Sequence, residues 1–213
     1  MNFINRTLLI LGLVLAACPS AQAGPQWVIR KDKDGIKIYT AMLPNESFRA
    51  VKVECFMNAT ADQLLAVLLD INNNHEWVYK TIASEIVKPI SDRELIYHAQ
   101  MECPWPFSNR DIIAHLKIAR QSPSVITISS QAKPDLLPTE EDVVRIRSSK
   151  AQWTITDMKD QVIKVEYTIQ FDPGGNIPPW LLNLFITDGP YESFRKMKER
   201  VDLPAYRHAQ FDI

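Results

Sequence analysis

Apolar and polar side chains alternate in short runs over most of this chain. Across Phe48–Met57, Val51, Val53, Cys55 and Met57 alternate with Lys52 and Glu54, and across Val162–Phe171 the apolar set is Ile163, Val165, Tyr167, Ile169 and Phe171. A period of two is that of a strand with one face buried. Trp27–Lys31 and Ile36–Leu43 flank Asp32-Lys33-Asp34-Gly35, whose Asp-Gly end is a hairpin signal. Further strand-like runs are Ile82–Ile90, Glu94–Met101, Ile112–Ala119, Val125–Ser130 and Val143–Thr156, so the pattern predicts nine strands. Their short connections force antiparallel neighbours.

The period changes twice. After the third strand, Leu64, Leu65, Leu68 and Leu69 fall on one helical face, with Thr60 as cap and Asp62 in the first turn. Asp70 to Tyr79 then reads as a loop or a short second helix. Near the C-terminus, Pro178-Pro179 suits a helix start, and Leu181, Leu184, Phe185, Phe194, Met197 and Val201 recur at three- and four-residue spacing. Glu192, Arg195, Lys196, Lys198, Glu199 and Arg200 take the outer face. Gly189-Pro190 is predicted to kink or interrupt this helix, as a hinge or as a static bend, and Pro204 stops it.

Between two strands lies Pro104-Trp105-Pro106-Phe107-Ser108-Asn109-Arg110-Asp111. Prolines have no N–H for a ladder, so this is a corner where the chain leaves the sheet and re-enters it. Trp105 and Phe107 are expected to anchor it. Arg110 and Asp111 open the next strand, where Arg110 either ties the corner to backbone carbonyls or fixes a polar group of a ligand. The expected fold is α+β, a curved antiparallel sheet with a small helical insert and a long C-terminal helix.

With that layout, the chain resembles the START (StAR-related lipid-transfer) family. The resemblance spans essentially all of residues 24–213 and rests on the corner just described, similar to the family's proline, aromatic and Ser-Arg-Asp or Asn-Arg-Asp segment, and on Ile177-Pro178-Pro179-Trp180-Leu181-Leu182-Asn183. It implies a helix-grip fold, in which the sheet wraps around the last helix and encloses a tunnel for a lipid or other hydrophobic molecule. A sheet and one helix leave a cavity unless large side chains fill it, and Trp153, Tyr167, Ile169, Leu184, Phe185 and Phe194 are candidate walls, with plain core packing as the alternative for each.

Residues 1–23 read as an export signal: Arg6 is the only side-chain charge, Thr7 to Ala17 is apolar and too short to span a bilayer, and Ala21-Gln22-Ala23 has the form of a cleavage site. Leu15-Ala16-Ala17-Cys18 also resembles a lipobox, which would make Cys18 a lipidated anchor. Either reading places the domain, residues 24–213, outside the cytoplasm. The near balance of 24 basic and 25 acidic residues argues against nucleic acid as a partner. Cys55 and Cys103 are expected to be free thiols. The four histidines are scattered, no cysteines have ligand spacing and no nucleophile elbow is present, so no metal, cofactor or catalytic residue is assigned. The expectation is a monomeric, non-catalytic lipid carrier that touches membranes transiently. An enzyme such as a cyclase or hydrolase on the same scaffold, and a ligand sensor, are the alternatives.

Overall fold

A computed structural model of the chain describes residues 24–44, 48–175, 177–178, 181–182 and 184–212. The expected export signal and the Cys18 alternative lie outside the described residues.

The strands are β1 (Val28–Lys33), β2 (Ile36–Met42), β3 (Arg49–Asn58), β4 (Thr81–Ser91), β5 (Glu94–Met101), β6 (Asn109–Ser122), β7 (Val125–Ala132), β8 (Val143–Arg145), β9 (Ser148–Asp157) and β10 (Val162–Asp172). They form one curved sheet in the order β1-β2-β3-β10-β9-β7-β6-β5-β4, with β8 beside β6. The β1–β2 turn holds Asp34 and Gly35 at φ of 53° and 69°, left-handed at both positions as a two-residue hairpin of matching twist requires. β10 returns to pair with β3, Val165 opposite Cys55 and Tyr167 opposite Val53, and so joins the first hairpin to the rest of the sheet.

The run expected as a single strand over Val143–Thr156 is two strands. β7 stops at Ala132, opposite Ala114, and leaves the start of β6 unpaired on that side. β8 fills the gap in parallel, Asn109 opposite Val143 and Asp111 opposite Arg145. The chain then crosses to β9, which pairs with both β7 and β10. Nine strands on the sheet's main path match the predicted number, and β8 is the addition.

Helix α1 (Ala61–Leu69) begins with a reciprocal cap: Gln63 N donates to Thr60 Oγ1 at 3.2 Å and Thr60 N donates to Gln63 Oε1 at 2.8 Å. The segment left open between loop and helix is a 3₁₀ turn, Ile71–Glu76. The C-terminal helix is interrupted, as Gly189-Pro190 predicted, and the interruption has a definite form. A π-helical stretch, Leu184–Asp188, runs into helix α2 (Gly189–Arg200), with Pro190 in the first turn of α2, where a missing N–H leaves no helical bond unmade.

Tyr191, Phe194, Met197 and Val201 are buried with Leu64, Leu65, Ile36, Ile38 and Ile163 in one core on the concave face of the sheet. Polar ties fix α2 on two flanks. On one, Lys31 Nζ meets Asp188 Oδ1 at 2.9 Å and the Tyr191 hydroxyl bonds Asp34. On the other, Tyr79 N donates to Ser193 Oγ at 2.9 Å. Past α2, the Tyr206 hydroxyl donates to Asp70 Oδ2 at 2.5 Å and accepts from Arg200 Nε at 3.1 Å, fastening the tail to the end of α1. Cys55 and Cys103 are free and buried, and burial pushes the Cys55 thiol up to about 12, so it stays protonated and unreactive.

Candidate functional site: a cavity under the C-terminal helix

The concave face of the sheet, the 3₁₀ turn and α2 enclose a cavity of about 250 Å³. The strands supply its wall because their period puts every second side chain inside. On β6, Arg110, Ile112 and Leu116 line it, whereas Asp111 and Ile113 point to the other face. The side chains are mostly aliphatic and aromatic. Trp153 and Tyr167, directly opposite on β9 and β10, have ring centroids 4.2 Å apart, and Phe194 from α2 stacks on Trp153 at 5.4 Å. This cluster joins the sheet to the helix across one side of the cavity.

Six of the eight residues expected at the site line it: Arg110, Trp153, Tyr167, Ile169, Phe185 and Phe194. The side chain of Leu184 lies outside the described residues. Asp111 does not face the cavity. It is 1% exposed on the opposite side of β6, where its carboxylate accepts from Arg145 Nε and Nη2, both at 2.8 Å, and lies 2.9 Å from His98 Nε2. Burial by itself would raise the Asp111 carboxyl, but the hydrogen bonds and charges of Arg145 and His98 outweigh that and hold it below the usual carboxylate value. Arg145 also donates to the carbonyls of Pro134, Leu137 and Pro138, so it closes the loop before β8 over this ion pair.

Arg110 is 4% exposed, and its guanidinium takes the structural option. It donates to Ser108 O at 2.5 Å, Gly174 O at 3.3 Å and Pro173 O at 3.4 Å, tying the start of β6 to the turn that ends β10. Gly175, beside Arg110, has φ 64°, a left-handed conformation that glycine adopts without strain. The expectation for Trp105 does not hold: it is 92% exposed, and of the two aromatics only Phe107 is partly buried.

Sequence reasoning missed three residues. Arg145 sits among apolar residues, Val143-Val144-Arg145-Ile146, and a cation flanked so was the available signal for a buried ion pair. Asn74 and Trp77, in the stretch left open between loop and helix, line the cavity and are both buried. Deeper in, Tyr97 bonds Ser130 and burial pushes the hydroxyls of Tyr97 and Tyr167 up, so both stay neutral. Among the described residues, no group of three histidine, cysteine or carboxylate side chains is placed to hold a metal ion, and His98 and His115 are each engaged by a carboxylate. The cavity thus offers apolar enclosure with a few uncharged hydrogen-bonding groups.

The START domain model matches residues 20–206. A solved STAR-related lipid transfer protein from Xanthomonas axonopodis is 32% identical, with a TM-score of 0.76, over 83% of this chain and 99% of that one. Phosphatidylcholine transfer protein from Mus musculus is 26% identical over 79% of this chain and 80% of its own length. An uncharacterised protein of Pseudomonas aeruginosa is 24% identical over 89% of this chain and 95% of its own. With the curved sheet, the interrupted C-terminal helix and the apolar cavity in place, the chain belongs to the START domain family.

Proposed function

We propose that this protein is an exported carrier that holds a lipid or similar hydrophobic molecule in the cavity between its sheet and its C-terminal helix. The observation that carries the reading is the cavity itself, predominantly apolar with the Trp153–Tyr167–Phe194 cluster at its wall, in a family whose relatives here include lipid transfer proteins. Its volume of about 250 Å³ falls just below the roughly 300–1,000 Å³ of sites for drug-sized ligands. A two-chain lipid therefore needs the wall to move, and α2 with its π-helical lead-in is the element to do so, Gly189-Pro190 being the hinge.

Membrane contact belongs to the same proposal. A fully exposed tryptophan between prolines, Trp105, has the apolar body and polar N–H suited to a membrane–water interface. Export rests on the charge, apolar run and small-residue site of residues 1–23, with anchoring through Cys18 as the alternative. The protein acts as a monomer without a cofactor. Native mass spectrometry of the protein purified from its own host tests the reading. The expected spectrum is a monomer carrying one intact hydrophobic molecule. Protein without such a molecule that turns over an added apolar substrate would overturn it in favour of an enzyme.

A further inference from the structure

Asn74 and Trp77 share the last turn of the 3₁₀ segment, where Trp77 N and Val78 N both donate to Asn74 O, at 3.1 and 2.8 Å. Three-residue spacing in this geometry puts the two side chains on one side of the turn, and both line the cavity. They are 7% and 6% exposed, and neither Asn74 Oδ1 nor Trp77 Nε1 has a hydrogen-bond partner in the protein. Buried polar atoms are almost always paired, and an unpaired one costs stability. Here an unpaired acceptor and an unpaired donor belong to neighbouring residues that line the cavity.

We propose that this turn is a subsite for an uncharged hydroxyl group, and that the ligand is a neutral hydroxylated amphiphile rather than an anionic or zwitterionic lipid. The inference rests on the cavity being the ligand site. A hydroxyl is the smallest group that meets both needs, accepting from the indole N–H, which can only donate, and donating to the Asn74 amide oxygen. A carboxylate or phosphodiester has no proton to give to Asn74. The remainder of the wall agrees: Arg110 is the only charged residue lining the cavity among those described, and its guanidinium is turned to three backbone carbonyls. Among the described residues, no carboxylate lines the cavity to balance an ammonium group. The other polar groups at the wall, such as Tyr97, Ser130 and Tyr167, are hydroxyls held neutral.

Displacement of the uncharged dye N-phenyl-1-naphthylamine from the delipidated protein tests this, with 1-tetradecanol, its methyl ether and ionised tetradecanoic acid as competitors. The alcohol should displace the dye at about tenfold lower concentration than either the ether or the acid, the effect of one or two added hydrogen bonds. Asn74→Leu and Trp77→Phe should each shrink that preference to about twofold or less, each variant's competitors being scaled to its own dye affinity. Equal displacement by all three competitors, preference for the acid, or an alcohol preference untouched in both variants would overturn the proposal. Dye bound without any preference defeats the subsite alone, whereas failure to bind the dye at all defeats the cavity reading with it.

Discussion

Two regions of this molecule hold buried polar groups, and they treat them in opposite ways. At the corner where β6 begins, Arg110, Asp111 and Arg145 are nearly inaccessible, and their hydrogen-bonding groups meet carbonyls, a carboxylate or each other. At the 3₁₀ turn on the cavity wall, Asn74 and Trp77 are as well buried and keep polar atoms unpaired. A satisfied network holds the chain in one arrangement, while an unsatisfied pair is a cost that a ligand removes. The corner is therefore assigned to structure and the turn to binding, even though the corner carries the charges that first attract notice.

The largest effect that would break this contrast is at Arg145. Arg145→Leu leaves the Asp111 carboxylate buried with His98 alone and should lower the unfolding free energy by about 3–5 kcal/mol, measured by urea denaturation. A loss under about 1 kcal/mol, the scale of an exposed pair, would mean that the corner is not the structural clamp described. Next is Arg110→Leu, which removes charged hydrogen bonds to carbonyls and should cost about 1.5–3 kcal/mol, read as a lower melting temperature in delipidated protein. Unchanged stability there, with lost ligand affinity, would move Arg110 to the binding side.

The smallest effect is in the pH dependence of stability. The folded Asp111 carboxyl lies below its unfolded value, which is about 3.9 for an aspartate. Its contribution is thus complete above that value and is lost as pH falls through the lower folded one. Asp111→Asn should flatten the acid limb of a stability–pH curve, and an unaltered limb would show that Arg145 and His98 do not hold the carboxylate as described.

Much of the fold was legible in the sequence because strands with one wet and one buried face must alternate. The runs at Phe48–Met57 and Val162–Phe171 alternate for that reason, and they turn out to be neighbours in the sheet. The Thr60 cap was equally legible, being a local bond between residues three apart. The break between β8 and β9 was not, since it depends on β7 ending opposite Ala114 and leaving β6 open. Apolar walls could be named from alternation, as with Trp153, Tyr167 and Ile169. Asn74 and Trp77 could not, because nothing local says that the turn carrying them will face the cavity beneath α2.

By itself, then, the sequence determined which segments become strands and helices, where the chain turns at Asp34-Gly35, and that an Asn-Arg-Asp corner opens β6. These follow from interactions within a few residues, or from the need of each element to bury one face. Tertiary structure alone decided which of the neighbours Arg110 and Asp111 faces the cavity, that Trp105 faces solvent, and that two buried polar atoms go unpaired. Each of those depends on what a distant segment places opposite the side chain, and such partners cannot be read along the chain.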